Sequence, residues 1–174
     1  MEIKVNNKIT LREISIDDAN IIFNKINEYR ESLKTWLPWI NSTKSQKDTE
    51  NFINSIMNSE KDLVFIIKHQ LNFAGIIGLK EIDVLNHRAE IGYWLLPCFE
   101  GKGIMTLCCK TITDYSFNHL NINRIQIKCA TKNQKSNAIP NRLNYFFEGI
   151  EREGEFINDK YFDLNLYSTL KNEW

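Results

Sequence analysis
An α+β fold built on a mixed α/β sheet is what this sequence predicts, on three observations. Strand-like alternation recurs along the chain, with helical stretches inserted between the runs. The 174 residues suit one domain, long enough to bury a sizeable core. No repeat, low-complexity tract or Pro/Gly-rich linker interrupts them, so a single unit over residues 1–174 is expected.

Local signals place the elements in order. The stretch "ITLREI" from Ile9 alternates as a strand, and Ser15-Ile16-Asp17-Asp18 caps a helix carrying Ile21, Ile22, Ile26 and Tyr29 at helical spacing. Trp36-Leu37-Pro38-Trp39 falls in a loop ahead of a second helix, expected from Asp48 to Met57. "DLVFIIKH" and "NFAGIIGLKEI" read as a hairpin turning across Gln70 to Asn72, with "RAEIGYWLL" as the next strand. A glycine-rich turn then opens a helix expected to reach about Asn118. "RIQIKCA" is a fifth or sixth strand, Asn137 to Leu143 a short helix, and the last thirty residues hold two further strands.

Composition removes several function classes. Lys+Arg and Asp+Glu both number 22, so no global field draws the protein onto nucleic acid or anionic lipid. No apolar run approaches the ~18 residues of a membrane span. The opening Met1-Glu2-Ile3-Lys4-Val5 lacks the basic-then-apolar layout of a secretory signal, and a cytoplasmic location is expected. Cys98, Cys108, Cys109 and Cys129 form no C-x-x-C pair, and His69, His87 and His119 are isolated. No metal site is expected, and buried thiols in a reducing compartment account for the cysteines.

The chemistry is concentrated between Ala89 and Thr106, where an apolar strand runs into a glycine-rich turn that opens a helix. Successive amides of such a turn, with the first unsatisfied amides of the helix, can point at one phosphate while the helix dipole favours its charge. Glycine at 101 and 103 lets main chain approach a ligand and permits φ > 0. A pyrophosphate-bearing cofactor is indicated, the alternative being an ordinary tight turn. A nucleotide-hydrolase loop needs G-x-x-x-x-G-K-[ST], whereas Lys102 lies between the two glycines. A dinucleotide fingerprint needs G-x-G-x-x-G in a first βαβ unit, whereas residue 106 is Thr and several strands precede the turn.

The whole string resembles the acetyl-CoA loop of the GNAT acyltransferase superfamily, written (Gln/Arg)-x-x-Gly-x-(Gly/Ala). "AEIGYWL", "GKGIMT", "NRIQIKCATKNQKSNAIPNRLNYFFEG" and "EFINDKYFDLNLYS", with the earlier "ITLREISIDDA" and "LKTWLPWINST", are similar to the RimJ/RimL branch, which acetylates ribosomal-protein N-termini. The resemblance implies a central, mostly antiparallel sheet with helices on both faces. It implies acetyl transfer from acetyl-CoA to a primary amine, first of all the N-terminal amine of a ribosomal protein, and leaves a homodimer open.

Carried over residue by residue, the amides of Gly101, Lys102, Gly103, Ile104, Met105 and Thr106 take the pyrophosphate, with the Lys102 charge nearby and Glu100 leading the loop. Leu95 and Leu96 lie beside the pantetheine arm, where a main-chain N–H polarises the thioester carbonyl. Without the resemblance the same residues are buried strand. Ser136 is implied as the acid for the departing thiolate, with Asn133 holding its loop and touching the cofactor. From local sequence alone Ser136 reads as a helix N-cap. Glu155 in "EFIND" is implied as the base, acting through water. Local sequence does not separate it from Glu148, Glu151 and Glu153, which read equally as solvated charge. Trp36, Leu37 and Trp39 either wall the acceptor side or lid the core, and Tyr161 and Asp163 shape the acceptor side.

Three residues depart from the branch pattern. Glu100 replaces Gln or Arg, and an anion near a pyrophosphate costs about 1 kcal/mol per hydrated close pair, so weaker cofactor binding is expected. Asn144 replaces the glycine of "RLGF" at a helix end that requires the left-handed conformation, which Asn tolerates. Met105 replaces the small last residue of the motif. A small-molecule amine acceptor (antibiotic, polyamine or amino sugar) and a non-catalytic CoA-binding module are the alternatives. A polyamine calls for several acids in the cleft, an N-terminal peptide for an open groove.

Overall fold
The run "LVFIIKH" fixes the layering. Phe65 and Ile67 point to one face of their strand, Val64 and Ile66 to the other, and all four are buried, so the sheet is covered on both sides. The computed structural model describes residues 1–174. Its strands are β1 (Glu2–Lys4), β2 (Ile9–Glu13), β3 (Leu63–His69), β4 (Asn72–Asp83), β5 (Arg88–Leu95), β6 (Arg124–Ala130), β7 (Phe146–Ile157) and β8 (Lys160–Leu170). Its helices are α1 (Ala19–Glu28), α2 (Arg30–Leu33), α3 (Gln46–Met57), α4 (Ile104–His119) and α5 (Gln134–Arg142).

The eight strands form one sheet in the order β1-β2-β3-β4-β5-β6-β8-β7. Every neighbouring pair is antiparallel except β5 and β6. One face packs α4 through Ile104, Cys108, Cys109 and Ile112 and α5 through Ile139, over Leu11, Phe65, Ile77 and Ile127. The other packs α1 through Ile22 and Ile26 and α3 through Ile53, over Val64, Ile66 and Ile76. Helices on both faces of a mostly antiparallel sheet is the architecture the resemblance implies.

Several boundaries differ from the sequence reading, each for a local reason. β1 was not anticipated, being only three residues long. The Ser15 capping box encloses a 3-10 turn, Ile16–Asp18, ahead of α1, and Ile21 falls on the exposed side of that helix. α3 starts at Gln46 because Ser45, not Asp48, caps it, with Asp48 returning the reciprocal bond. α5 starts at Gln134 because the Asn133 side chain accepts from the amide of Ser136. Asn144 does take the left-handed conformation, at φ 56.

β5 and β6 hold the feature that matters most for chemistry. Their ladder pairs only Arg88, Ala89 and Glu90 with Arg124, Ile125 and Gln126, after which the strands diverge. The amide of Leu96 bonds back to Ala74 O, and alternation along an antiparallel strand then turns the amides of Tyr93 and Leu95 the opposite way, toward the gap. Gly75 lets β4 and β5 meet closely there: a Cβ on it would lie 2.3 Å from Trp94 O.

Candidate active site
The gap opens into a cleft of about 2140 Å³ that runs from the start of α4 to the far end of β7. At one end Gly101 and Gly103 have φ +73 and +71, both left-handed, and a Cβ at either would meet nothing within 4 Å. Alternating backbone of this kind turns successive amides inward. None of the amides from Gly101 to Thr106 finds an acceptor within the protein, and the first bond of the helix runs from Leu107 N to Gly103 O. Six free donors at the positive end of a 16-residue helix, with open space before them, fit a pyrophosphate.

Glu100 lines the same end of the cleft and is matched by a cation: Lys135 Nζ lies 2.5 Å from its carboxylate. Lys102 is placed otherwise than expected. Its ammonium folds back onto Cys98 O at 2.7 Å and over the Phe99 ring, so only its amide is offered to a ligand. Leu96 also departs from expectation, since its side chain is 1% exposed in the core and its amide is taken by Ala74. Leu95, one residue earlier, keeps its place on the cleft wall.

Ser136 stands in the first turn of α5 rather than at its cap. Its hydroxyl donates to Cys129 Sγ at 3.1 Å and lies 3.1 Å from the phenol of Tyr93. Tyr93 also donates to the Ser136 carbonyl at 3.2 Å. Pro140 explains that second bond: lacking an N–H, it cannot serve the carbonyl four residues back, and the phenol serves it instead. Sequence reasoning missed Tyr93, and a proline four residues after the serine was the available signal. Burial pushes the Tyr93 phenol well above its ordinary pKa, so it remains a donor.

The four acids of β7 separate by their partners. Glu148 binds Arg124 through both oxygens and accepts from Ser168, which lowers its pKa to about 2. Glu151 pairs with Lys128 at 2.8 Å, and Glu153 is exposed where the strand bulges. Glu155 follows that bulge, lines the cleft, and is bonded to nothing. Desolvation raises its pKa first; the Lys80 charge opposes this and Glu90 adds to it.

Glu90 is a second carboxylate the sequence did not single out. It is 3% exposed on the cleft floor, held by Lys80 Nζ at 2.7 Å and Gln126 Nε2 at 3.0 Å. Thr49 Oγ1, buried and without a partner, is on the cleft wall as well.

Trp36, Leu37 and Trp39 line the cleft near α3, while Ile40 beside them is fully buried, so the loop is anchored by one residue and presents the others. Tyr161 is not part of this wall. It pairs with Phe156 on β7 and is 64% exposed, whereas Glu155 pairs with Phe162, so a one-residue offset turns Tyr161 to the opposite face. Asp163 instead accepts from Glu153 N and fixes the bulge. Phe162, paired with Glu155, packs edge-on against Trp36 behind the wall.

A family model described as an acetyltransferase (GNAT) domain matches residues 8–145. The chain belongs to the GNAT acetyltransferase family. YdaF of Bacillus subtilis (strain 168), provisionally named a ribosomal N-acetyltransferase, is 37% identical over 98% of this chain and 96% of its own. A ribosomal-protein-serine acetyltransferase of Escherichia coli (strain K12) is 28% identical over 97% and 96%. The solved structure of RimL, a ribosomal L7/L12 alpha-N-protein acetyltransferase in complex with coenzyme A, matches with TM-score 0.94 at 26% identity, covering 98% of both chains. This GNAT chain is thus an acetyl-CoA-dependent N-acetyltransferase.

Proposed function
We propose that this transferase acetylates the N-terminal amine of a protein, with Glu155 as base and Ser136 as acid. Its named relatives suggest a ribosomal protein as the acceptor. The observation that carries the reading is the charge of the cleft. Of the carboxylates lining it, Asp48 is tied into a capping box, Asp62 to Ser59, Glu90 to Lys80 and Glu100 to Lys135. Glu155 alone is free. One free carboxylate suits an acceptor with one ammonium near the reacting end, where a polyamine calls for several.

Bound acetyl-CoA supplies the activated acyl carbon. The amides from Gly101 to Thr106 hold its pyrophosphate, and the Leu95 amide, directed into the gap, is the donor for carbonyl polarisation. Glu155 takes the proton of the acceptor ammonium, directly or through one water, and its raised pKa makes it a stronger base than an exposed glutamate. Sulfur is a weak acceptor, so the Ser136 hydroxyl leaves Cys129 at small cost to donate to the departing sulfur. Tyr93 keeps that hydroxyl in orientation.

The test compares a peptide with a free N-terminus, the same peptide N-terminally blocked, and spermidine. Turnover of the free peptide alone is expected. E155Q and S136A are expected to lower kcat by on the order of 10²- to 10⁴-fold while acetyl-CoA affinity holds. Preferred turnover of spermidine would replace the acceptor assignment, and unaltered rates in both variants would remove the two residue roles.

A further inference from the structure
The turn joining β7 to β8 reaches across the cleft. Asn158 and Asp159 form a two-residue hairpin loop, with φ 48 and 61. Both angles are left-handed, as a type I′ turn requires. The Asn158 side chain then makes two bonds to a distant loop: its Nδ2 donates to Lys34 O at 2.9 Å, and its Oδ1 accepts from Asn41 Nδ2 at 3.0 Å. One amide group thereby holds both ends of the segment that carries Trp36, Leu37 and Trp39.

The two partners belong to different halves of the sheet. The loop is rooted through Ile40 and Leu33 in the core beneath β3 and β4, and Arg30 fixes its rear by donating to Ile40 O and Thr43 O. The hairpin belongs to β7 and β8, beyond the gap where β5 and β6 part. Glu155 is on β7, three residues before Asn158, and Phe162 is on β8, three residues after Asp159, against Trp36. Whatever fixes the turn to the loop therefore fixes the distance between the aromatic wall and the free carboxylate.

We propose that Asn158 is a positioning residue for the acceptor: its two bonds clasp the Lys34–Asn41 loop to the β7–β8 hairpin and set the acceptor passage between Trp36 and Glu155. This rests on the reading above for which side of the cleft the amine uses. Asn158 touches neither reacting group; it acts through the wall it holds.

Asn158→Gly is the informative variant, because glycine keeps the left-handed turn while removing the clasp. Asn41→Ala removes one bond without touching the hairpin and carries the test if the glycine variant folds poorly. Both are assayed with the acceptor the wild type turns over, beside E155Q. The acceptor KM is expected to rise on the order of tenfold in N158G and less in N41A, with kcat changed less and acetyl-CoA affinity unmoved. An unaltered acceptor KM in both variants, or a parallel loss of acetyl-CoA affinity, overturns the clasp. Full activity of E155Q instead overturns the acceptor-side reading, so the two failures are told apart.

Discussion

Residue by residue, the site is decided by which side chains are already engaged. Glu155 differs from Glu148 and Glu151 in having no cation bonded to it, and burial leaves its proton harder to remove. The base works only when deprotonated, so kcat/KM should rise with pH through a value higher than the ordinary one for a glutamate. Lys80 opposes that shift, and Glu90, which Lys80 neutralises, reinforces it. K80M should therefore move the acid limb of the kcat/KM profile to higher pH; a limb that stays or moves down would contradict this account. None of this was legible locally. The cations paired with Glu148 and Glu151 come from β6, more than twenty residues earlier in the chain, and only the resemblance had singled out Glu155 and Ser136. Tyr93 was hidden because a strand tyrosine in an apolar run reads as core, which it also is.

Whole elements are held by a few polar hubs. Asn137, 8% exposed, donates to Ala130 O and Asn133 O and accepts from Asn165 and the Tyr167 phenol. It fixes α5 to β6 and β8, one residue from Ser136. Asn137→Ala strands several buried groups at once and should cost about 2–3 kcal/mol of stability, read from urea unfolding. A loss below about 0.5 kcal/mol, the range of ordinary surface changes, would show that water replaces the side chain easily. At this scale most of the fold could be read in advance, because β3 to β6 and α4 carry strong apolar runs bounded by turns. The start of α5 could not, since Asn133 and Ser136 are both acceptable caps and the choice depends on how the preceding strand delivers the chain. The face of Tyr161 was missed for a related reason: alternation gives two faces, and register alone says which one meets the cleft.

Across the whole molecule the net charge is zero, yet the cleft pairs its charges locally. Glu100, the departure that raised doubt about cofactor affinity, is joined to Lys135 at the head of α5. The pair spans from the phosphate-binding turn to the element carrying Ser136. K135M should weaken acetyl-CoA binding severalfold by exposing the Glu100 charge, and E100Q added to it should restore most of the loss, as read by calorimetric titration. Additive losses would mean that the two residues act separately. Sequence could not offer this compensation, because the two positions are 35 residues apart and meet only across the gap.

The parting of β5 from β6 also gives one strand two clocks. Along β5 and just past it, the amides of Trp94 and Leu96 turn inward to β4, while those of Tyr93 and Leu95 face an open slot. In deuterated water, Tyr93 and Leu95 should label far sooner than their immediate neighbours, despite belonging to a central strand. Saturating acetyl-CoA should slow Leu95, together with the turn from Gly101 to Thr106, and leave Trp94 as it was. A strand normally reports the stability of its sheet; here every second residue reports the ligand.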